Sequence, residues 1–181
     1  MKIMKTAFLT VLSFFIMAAC IRQCLAQPTG GSLESDVKAA YILNIMKFVD
    51  WRDGAEAGGK LKIGVLGSDS VGEVLEKLKN NKIGERILVV EKVEESGIAS
   101  CGCHLLYIGK SEKDRLDDIL KKLKGSSILT VSDLPDFARK GGIAGFAIEN
   151  DRVKIEININ ESKRAGLKIG AKLLEVARLI K

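Results

Sequence analysis

The sequence predicts an α/β domain: a mostly parallel sheet flanked by helices, with a C-terminal antiparallel hairpin and a terminal helix. Two observations carry that prediction. Short apolar, β-branched runs (61–66, 86–90, 103–108, 128–131) alternate with segments of helical character (70–79, 112–123), the pattern of strands joined by crossovers. The tail then changes to two runs, 143–149 and 152–159, joined directly by Asn150-Asp151, a hairpin signal.

The elements follow in order. Residues 1–26 have a basic start (Lys2, Lys5), an apolar stretch from Ala7 to Ala19, and small residues at Cys24 and Ala26. That is the layout of a secretory signal peptide cleaved after Ala26, and its apolar run is short for a lasting membrane span. A second reading takes Met17-Ala18-Ala19-Cys20 as a loose lipobox, with anchoring at Cys20. Both readings place the folded domain outside the cytoplasm. Residues 27–32, with Pro28, Gly30 and Gly31, read as a flexible lead, and the domain occupies 33–181. Ser32 or Ser35 can cap a helix running to about Trp51. That helix is apolar around most of its circumference, so it is buried or waits for a partner. Gly54–Gly59 reads as a turn, and residues 91–100 as a charged, loose connection. Ser111 is expected to cap the helix that follows 103–108. In the second hairpin run Val153, Ile155, Ile157 and Ile159 share one face, and Lys154, Glu156, Asn158 and Asn160 the other, so one face packs and the other meets water or a partner. Residues 161–181 read as one or two helices interrupted near Gly166–Gly170.

The bulk numbers exclude several classes. The formal charge is +6, with 29 bases and 23 acids. Lys2, Lys5 and Arg22 leave with the leader, so 29 − 3 = 26 bases face 23 acids in residues 27–181. No block of like charge remains, which gives nucleic-acid binding no support. Of four cysteines, Cys20 and Cys24 belong to the leader, leaving Cys101 and Cys103. A Cys-Gly-Cys bridge is permitted in an oxidising compartment but is tight and strained.

No catalytic constellation emerges. Gly109-Lys110-Ser111 lies where a phosphate loop belongs, but His104 occupies the position of that loop's first glycine. The same His104 is the only histidine, and it falls inside a predicted strand. Cys101, Cys103 and His104 lack a fourth ligand at metal-site spacing, so neither a metal nor a cofactor is expected. The chain therefore reads as a binder, not an enzyme. Phe48 and Trp51, at the end of the greasy helix, are candidate contacts for a partner or ligand, with ordinary core packing as the competing role.

Four stretches then resemble the YfiR/HmsC-like family of small periplasmic proteins. They are the helix bearing Tyr41, Phe48 and Trp51; the strand Leu61–Gly67; the strand Cys103–Gly109; and the tail. In the tail, Ile128–Asp133 leads through Phe137 and Gly141-Gly142-Ile143 to Ile155–Ile159, Ala165–Ile169 and Leu173-Leu174. The resemblance implies a regulator that binds the periplasmic part of an inner-membrane diguanylate cyclase and restrains cyclic-di-GMP synthesis, hence biofilm formation. It places Glu156 and Asn158 on the family's Glu-x-Asn strand, which adds them to Phe48 and Trp51 as expected partner contacts. It also implies that some members pair the cysteine equivalent to Cys103 with one on a neighbouring strand. Here that position is Gly64, which leaves Cys101 as the intramolecular partner for any disulfide or redox chemistry. A homodimer through the first helix is a further expectation. The alternative function is a periplasmic small-ligand binder or sensor, which a pocket at the strand ends near Gly67 and Gly109 would favour.

Overall fold

The computed structural model describes residues 30–51, 59–150 and 152–181. The expected leader, residues 27–29 of the lead segment, Asp151 and all of the 54–59 turn except Gly59 lie outside them, while residues 30–32 of the lead are helical. Residues 31–181 form one unit. Helix α1 (Gly30–Lys47) buries Ser35, Lys38, Ala39, Ile42, Ile45 and Met46, the three- and four-residue spacing of a single helix face. It stops four residues before Trp51, because Val49–Asp50 leaves as strand β1 and pairs with β9 (Lys168–Ile169). Gly170 N–H donates to the Phe48 carbonyl at 2.7 Å, which fixes that exit.

The main sheet has eight strands: β2 (Lys60–Leu66), β3 (Lys82–Ile83), β4 (Arg86–Val93), β5 (Leu105–Ile108), β6 (Leu129–Ser132), β7 (Ala144–Glu149), β8 (Arg152–Asn158) and β10 (Arg178–Ile180). Their spatial order is β10-β8-β7-β6-β5-β2-β4-β3. The central five, β7 to β4 in that order, run parallel, and β7–β8 is the expected antiparallel hairpin. Asn150 takes φ of 50° at the turn, as the first position of a primed turn requires. Numbered along the chain, the five parallel strands stand in the doubly wound order 2-1-3-4-5, which reverses direction between β2 and β5. Both β5 and β6 are buried at every residue, as strands covered on two faces must be.

Two apolar layers cover the sheet. On one face, α1 and α2 (Ser70–Lys77) pack Ile42, Ile45, Val71 and Leu75 against Ile63, Val65, Leu105 and Val131. On the other, Ile98, Leu116, Ile119 and Leu123 meet Leu106, Ile108 and Phe137. That second layer comes from α3 (Leu116–Lys122) and a 3-10 segment (Glu95–Ser100), which forms where the sequence reads as loose.

Three local expectations change. Ser111 does not cap a helix: it lies inside a 3-10 turn (Lys110–Arg115), and its hydroxyl accepts from Ser68 N–H at 2.9 Å. The water-facing side of the second hairpin strand holds only at its start, since Ile155 to Asn158 are all buried. The tail keeps the two expected helices on either side of the 166–170 break but adds two strands to them. After α4 (Ile159–Arg164) it forms β9, a short α5 (Ala171–Val176) and β10, which pairs parallel with β8. Short strands such as β9 and β10 have no room for a period, so neighbours decide them.

Candidate functional site

The reversal point between β2 and β5 is where an open α/β sheet parts its loops and makes a crevice. The loops there cross closely. A Cβ on Gly109 would come within 2.9 Å of Ser68 N, and Gly67 takes φ of 75°, so glycine is required at both positions. Asp69 follows β2 and caps α2 by accepting from Gly72 N–H at 2.8 Å. Its second oxygen accepts from the Tyr107 hydroxyl at 2.8 Å and from Lys110 N–H at 2.9 Å. Burial first, and the Asp69 carboxylate second, push the Tyr107 phenol far above its ordinary range.

A second acid, Asp133, follows β6. It accepts from the buried ammonium of Lys38 and pairs with Lys110 Nζ at 2.8 Å. The amine of Lys110 is raised above its usual range by that hydrogen bond. Lys38 also pairs with Glu34 one turn earlier. A chain Glu34–Lys38–Asp133–Lys110 thus ties α1 to the carboxyl end of the sheet. It opens on a cleft of about 400 Å³ whose walls carry four acids (Glu34, Asp133, Asp136, Glu156) and four bases (Lys38, Lys110, Arg139, Arg178). Phe146 and Ile148 add apolar surface.

The expected contact residues separate. Glu156 is buried, lines this cleft and lies 3.5 Å from Arg178. Asn158 is buried and its side chain is engaged within the fold: Oδ1 accepts from Glu161 N–H to cap α4, and Nδ2 donates to the Ala138 carbonyl at 2.8 Å. Trp51 is also buried, with its ring edge-on to His104 at 5.5 Å. Phe48 alone is open, at 39% exposure, and it does not line the cleft. It ends a row on the outer face of α1 that begins at Leu33 (65% exposed), Val37 and Ala40, all at helical spacing.

Cys101 and Cys103 are free thiols. Gly102, at φ of 60°, turns the chain so that Cys103 N–H points at Cys101 Sγ, 3.3 Å away. Burial, then the neighbouring Cys101, pushes the Cys103 thiol up to about 12, which keeps it protonated and unreactive. A Cβ on Gly64 would lie 2.8 Å from Cys103 Sγ, so a cysteine at 64 would stand within bridging reach and glycine removes that partner. His104 serves the sheet: Nδ1 accepts from Lys62 N–H, and its backbone bonds β2 and β6. Among the described residues no three His, Cys, Asp or Glu side chains gather as a metal site.

Sequence reading missed Lys38, Asp69, Tyr107 and Asp133. Its available signal was an acid just past each of two apolar strands, at Gly67-Ser68-Asp69 and Ser132-Asp133.

A doubly wound parallel sheet with an antiparallel hairpin and a charged cleft beside β6, β7 and β8 defines the class, a single α/β domain. The family follows from comparison: the model of the YfiR/HmsC-like family (DUF4154) matches residues 35–178, and the chain belongs to that family. Members are regulators that work in the periplasm. No curated protein matches the chain. Among solved structures, an ABC domain from Streptococcus pneumonia determined in complex with L-Trp shares 13% identity at a TM-score of 0.56. The match covers 76% of this chain and 59% of that one. A conserved domain protein from Vibrio cholerae shares 11% identity at a TM-score of 0.54, covering 81% of this chain and 60% of that one. The chain thus spans about three fifths of each, and the likeness is one of fold. No helix among the described residues is long and apolar enough to cross a membrane.

Proposed function

We propose that this protein is a periplasmic inhibitor that binds the periplasmic part of an inner-membrane diguanylate cyclase and restrains cyclic-di-GMP synthesis. Membership of the family over 35–178 carries the reading. The outer face of α1 gives it a surface, since Leu33, Val37 and Phe48 are large apolar side chains left open to solvent. The helix beneath them is pinned by Lys38 to Asp133 and so presents a fixed contact. Such a binder works by differential affinity: it shifts the cyclase toward inactivity only as far as it prefers the inactive form.

The test is co-purification from solubilised inner membranes, with the exported protein as bait. Capture of a membrane protein carrying a cyclase domain is expected, weakened about tenfold by Val37→Glu/Phe48→Glu, a loss of roughly 1.4 kcal/mol in binding. A folded bait that brings down no such protein ends the proposal. The same face is the one a second copy would use, and light scattering of the purified protein reads that directly. Glu156, buried in the crevice wall, enters this reading through the cleft and not through the α1 surface.

The cleft at the carboxyl end, which is not the pocket expected near Gly67 and Gly109 because neither residue lines it, supports a second reading, a small-ligand sensor. Four acids facing four bases suit a zwitterion, and ligand-dependent thermal stabilisation across a panel of amino acids is its test. A flat melting temperature across the panel removes it.

A further inference from the structure

A second cleft shares only Arg139 with the carboxyl-end crevice. It has a volume of about 700 Å³ and runs between α3, the start of β6, the β6–β7 connection and α4. Its floor is apolar, with Leu123, Ile128 and Ile143 almost fully buried and Leu120 packed against the cluster of the first two. Its walls carry five bases, Lys121, Lys124, Arg139, Lys140 and Arg164, against two acids, Asp117 and Glu161. Residues 27–181 hold 26 bases (29 less the three in the leader) and 23 acids, so this one groove carries a surplus equal to that of the whole mature chain.

Helix ends explain part of that charge. Lys121 and Lys124 stand at the C-terminal end of α3 and Arg164 at that of α4, where cations offset the helix dipole. Arg139 and Lys140 need another account, because they reach the same groove from a connection between strands. Pairing leaves charge over. Arg164 is held by Glu161, and Lys121 meets Asp118 at 3.3 Å. Arg139 reaches Asp136 only at 3.8 Å. Among the described residues Lys124 and Lys140 have no acid within ion-pair distance, and both are exposed.

We propose that this groove is a docking site for an acidic segment of a protein partner, one that presents carboxylates on either side of an apolar side chain. The carboxylates meet Lys124 and Lys140 on the walls, and the apolar side chain enters toward Leu120 and Ile143. A concave, apolar-floored trough suits a protruding segment better than a flat anionic membrane, which opposes only a rim. The groove is lined from both apolar layers, by Leu120, Leu123 and Ile128 of the α3 layer and by Ile143 and Ala165 of the other, and it includes none of Leu33, Val37 or Phe48, so it is separate from the surface assigned to the cyclase.

The test uses the protein purified after export and two probes: a fluorescent dodecapeptide with glutamates flanking a central leucine, and vesicles of phosphatidylethanolamine with phosphatidylglycerol. The peptide is expected to bind, to perturb the methyl resonances of Leu120 and Ile143, and to weaken as salt is raised. Lys124→Glu/Lys140→Glu should lower its affinity about tenfold or more. A control with the same charge change at exposed positions elsewhere, Lys60→Glu/Lys154→Glu, should leave it nearly unchanged. Equal losses in both doubles would reduce the effect to net charge and overturn the site. So would absence of peptide binding, or groove-dependent binding of the vesicles alone. Far-UV circular dichroism of both doubles confirms that the fold is kept.

Discussion

In the cleft at the carboxyl end every charged wall residue has found a partner within the fold, whereas in the groove beside α3 Lys124 and Lys140 have none among the described residues. Asp69 satisfies three donors and Asp133 two ammonium groups, with Lys38 buried between Glu34 and Asp133. Lys124 and Lys140 stand in solvent. The difference separates two uses of charge. The buried set fixes where α1 sits, and removing a member leaves an uncompensated ion in low dielectric. The exposed set contributes little to folding and is available to something else.

The most severe way to break that contrast is Asp133→Ala. It strips Lys38 and Lys110 of their shared carboxylate, and the side chains of Lys38 and Asp133 are only 5% and 7% exposed. A loss of about 3–5 kcal/mol in unfolding free energy is expected from urea denaturation. A loss below about 1 kcal/mol would mean the pair behaves like a surface bridge, and the contrast would collapse.

That network also marks how far the sequence could be read. The parallel strands were legible because they are continuous apolar runs, and the hairpin because its two runs adjoin at Asn150. Strand β3 and strand β9 are two residues each, and the chain's last strand is three, so none can express a period. Pairing with β4, β1 and β8 makes them strands. The crevice was hidden for a different reason. Lys38 and Asp133 are 95 residues apart and nothing local links them. Glu156 and Asn158 were visible as a polar face, but visibility did not tell water from a capping bond and a cleft wall. Phe48 was legible as the end of a greasy helix, and the structure leaves it open.

A smaller effect is expected from Tyr107→Phe, which deletes one hydrogen bond to Asp69 while the Gly72 and Lys110 N–H donors remain. About 1.5 kcal/mol should be lost, the lower end for a bond to a charged acceptor, measured again by urea. An unchanged midpoint would show that the other donors absorb the loss.

Alkaline pH probes the same buried groups without mutation. The Cys103 thiol is raised from 9.0 to about 12, and the Tyr107 phenol is raised above 10.0. Both are acids kept protonated by the fold. Above pH 9.0 the unfolded chain therefore loses protons that the folded chain retains. The contribution of Cys103 is complete below 9.0 and declines as pH rises toward about 12, with Tyr107 adding to the decline. The urea midpoint should fall across that window, and Cys103→Ala should flatten its first part. A midpoint that stays level in the parent protein would place both groups in solvent.

The faintest effect belongs to the groove. Lys124→Gln/Lys140→Gln removes two positive charges that no acid meets, so no bond is broken and no ion is left buried. Electrostatics favours a small gain, because neighbouring Lys121, Arg139 and Arg164 are relieved of like charge. The helix dipole of α3 acts against it, since Lys124 stands just past the helix end. With the two opposed and both screened by salt, the urea midpoint should not move measurably. A clear loss of stability would mean that these lysines hold the α3–α4 groove together as Lys38 holds α1, and the division between structural and available charge would fail. An unmoved midpoint combined with lost peptide binding would show the reverse: the groove's charges are kept for a partner, and the fold does without them.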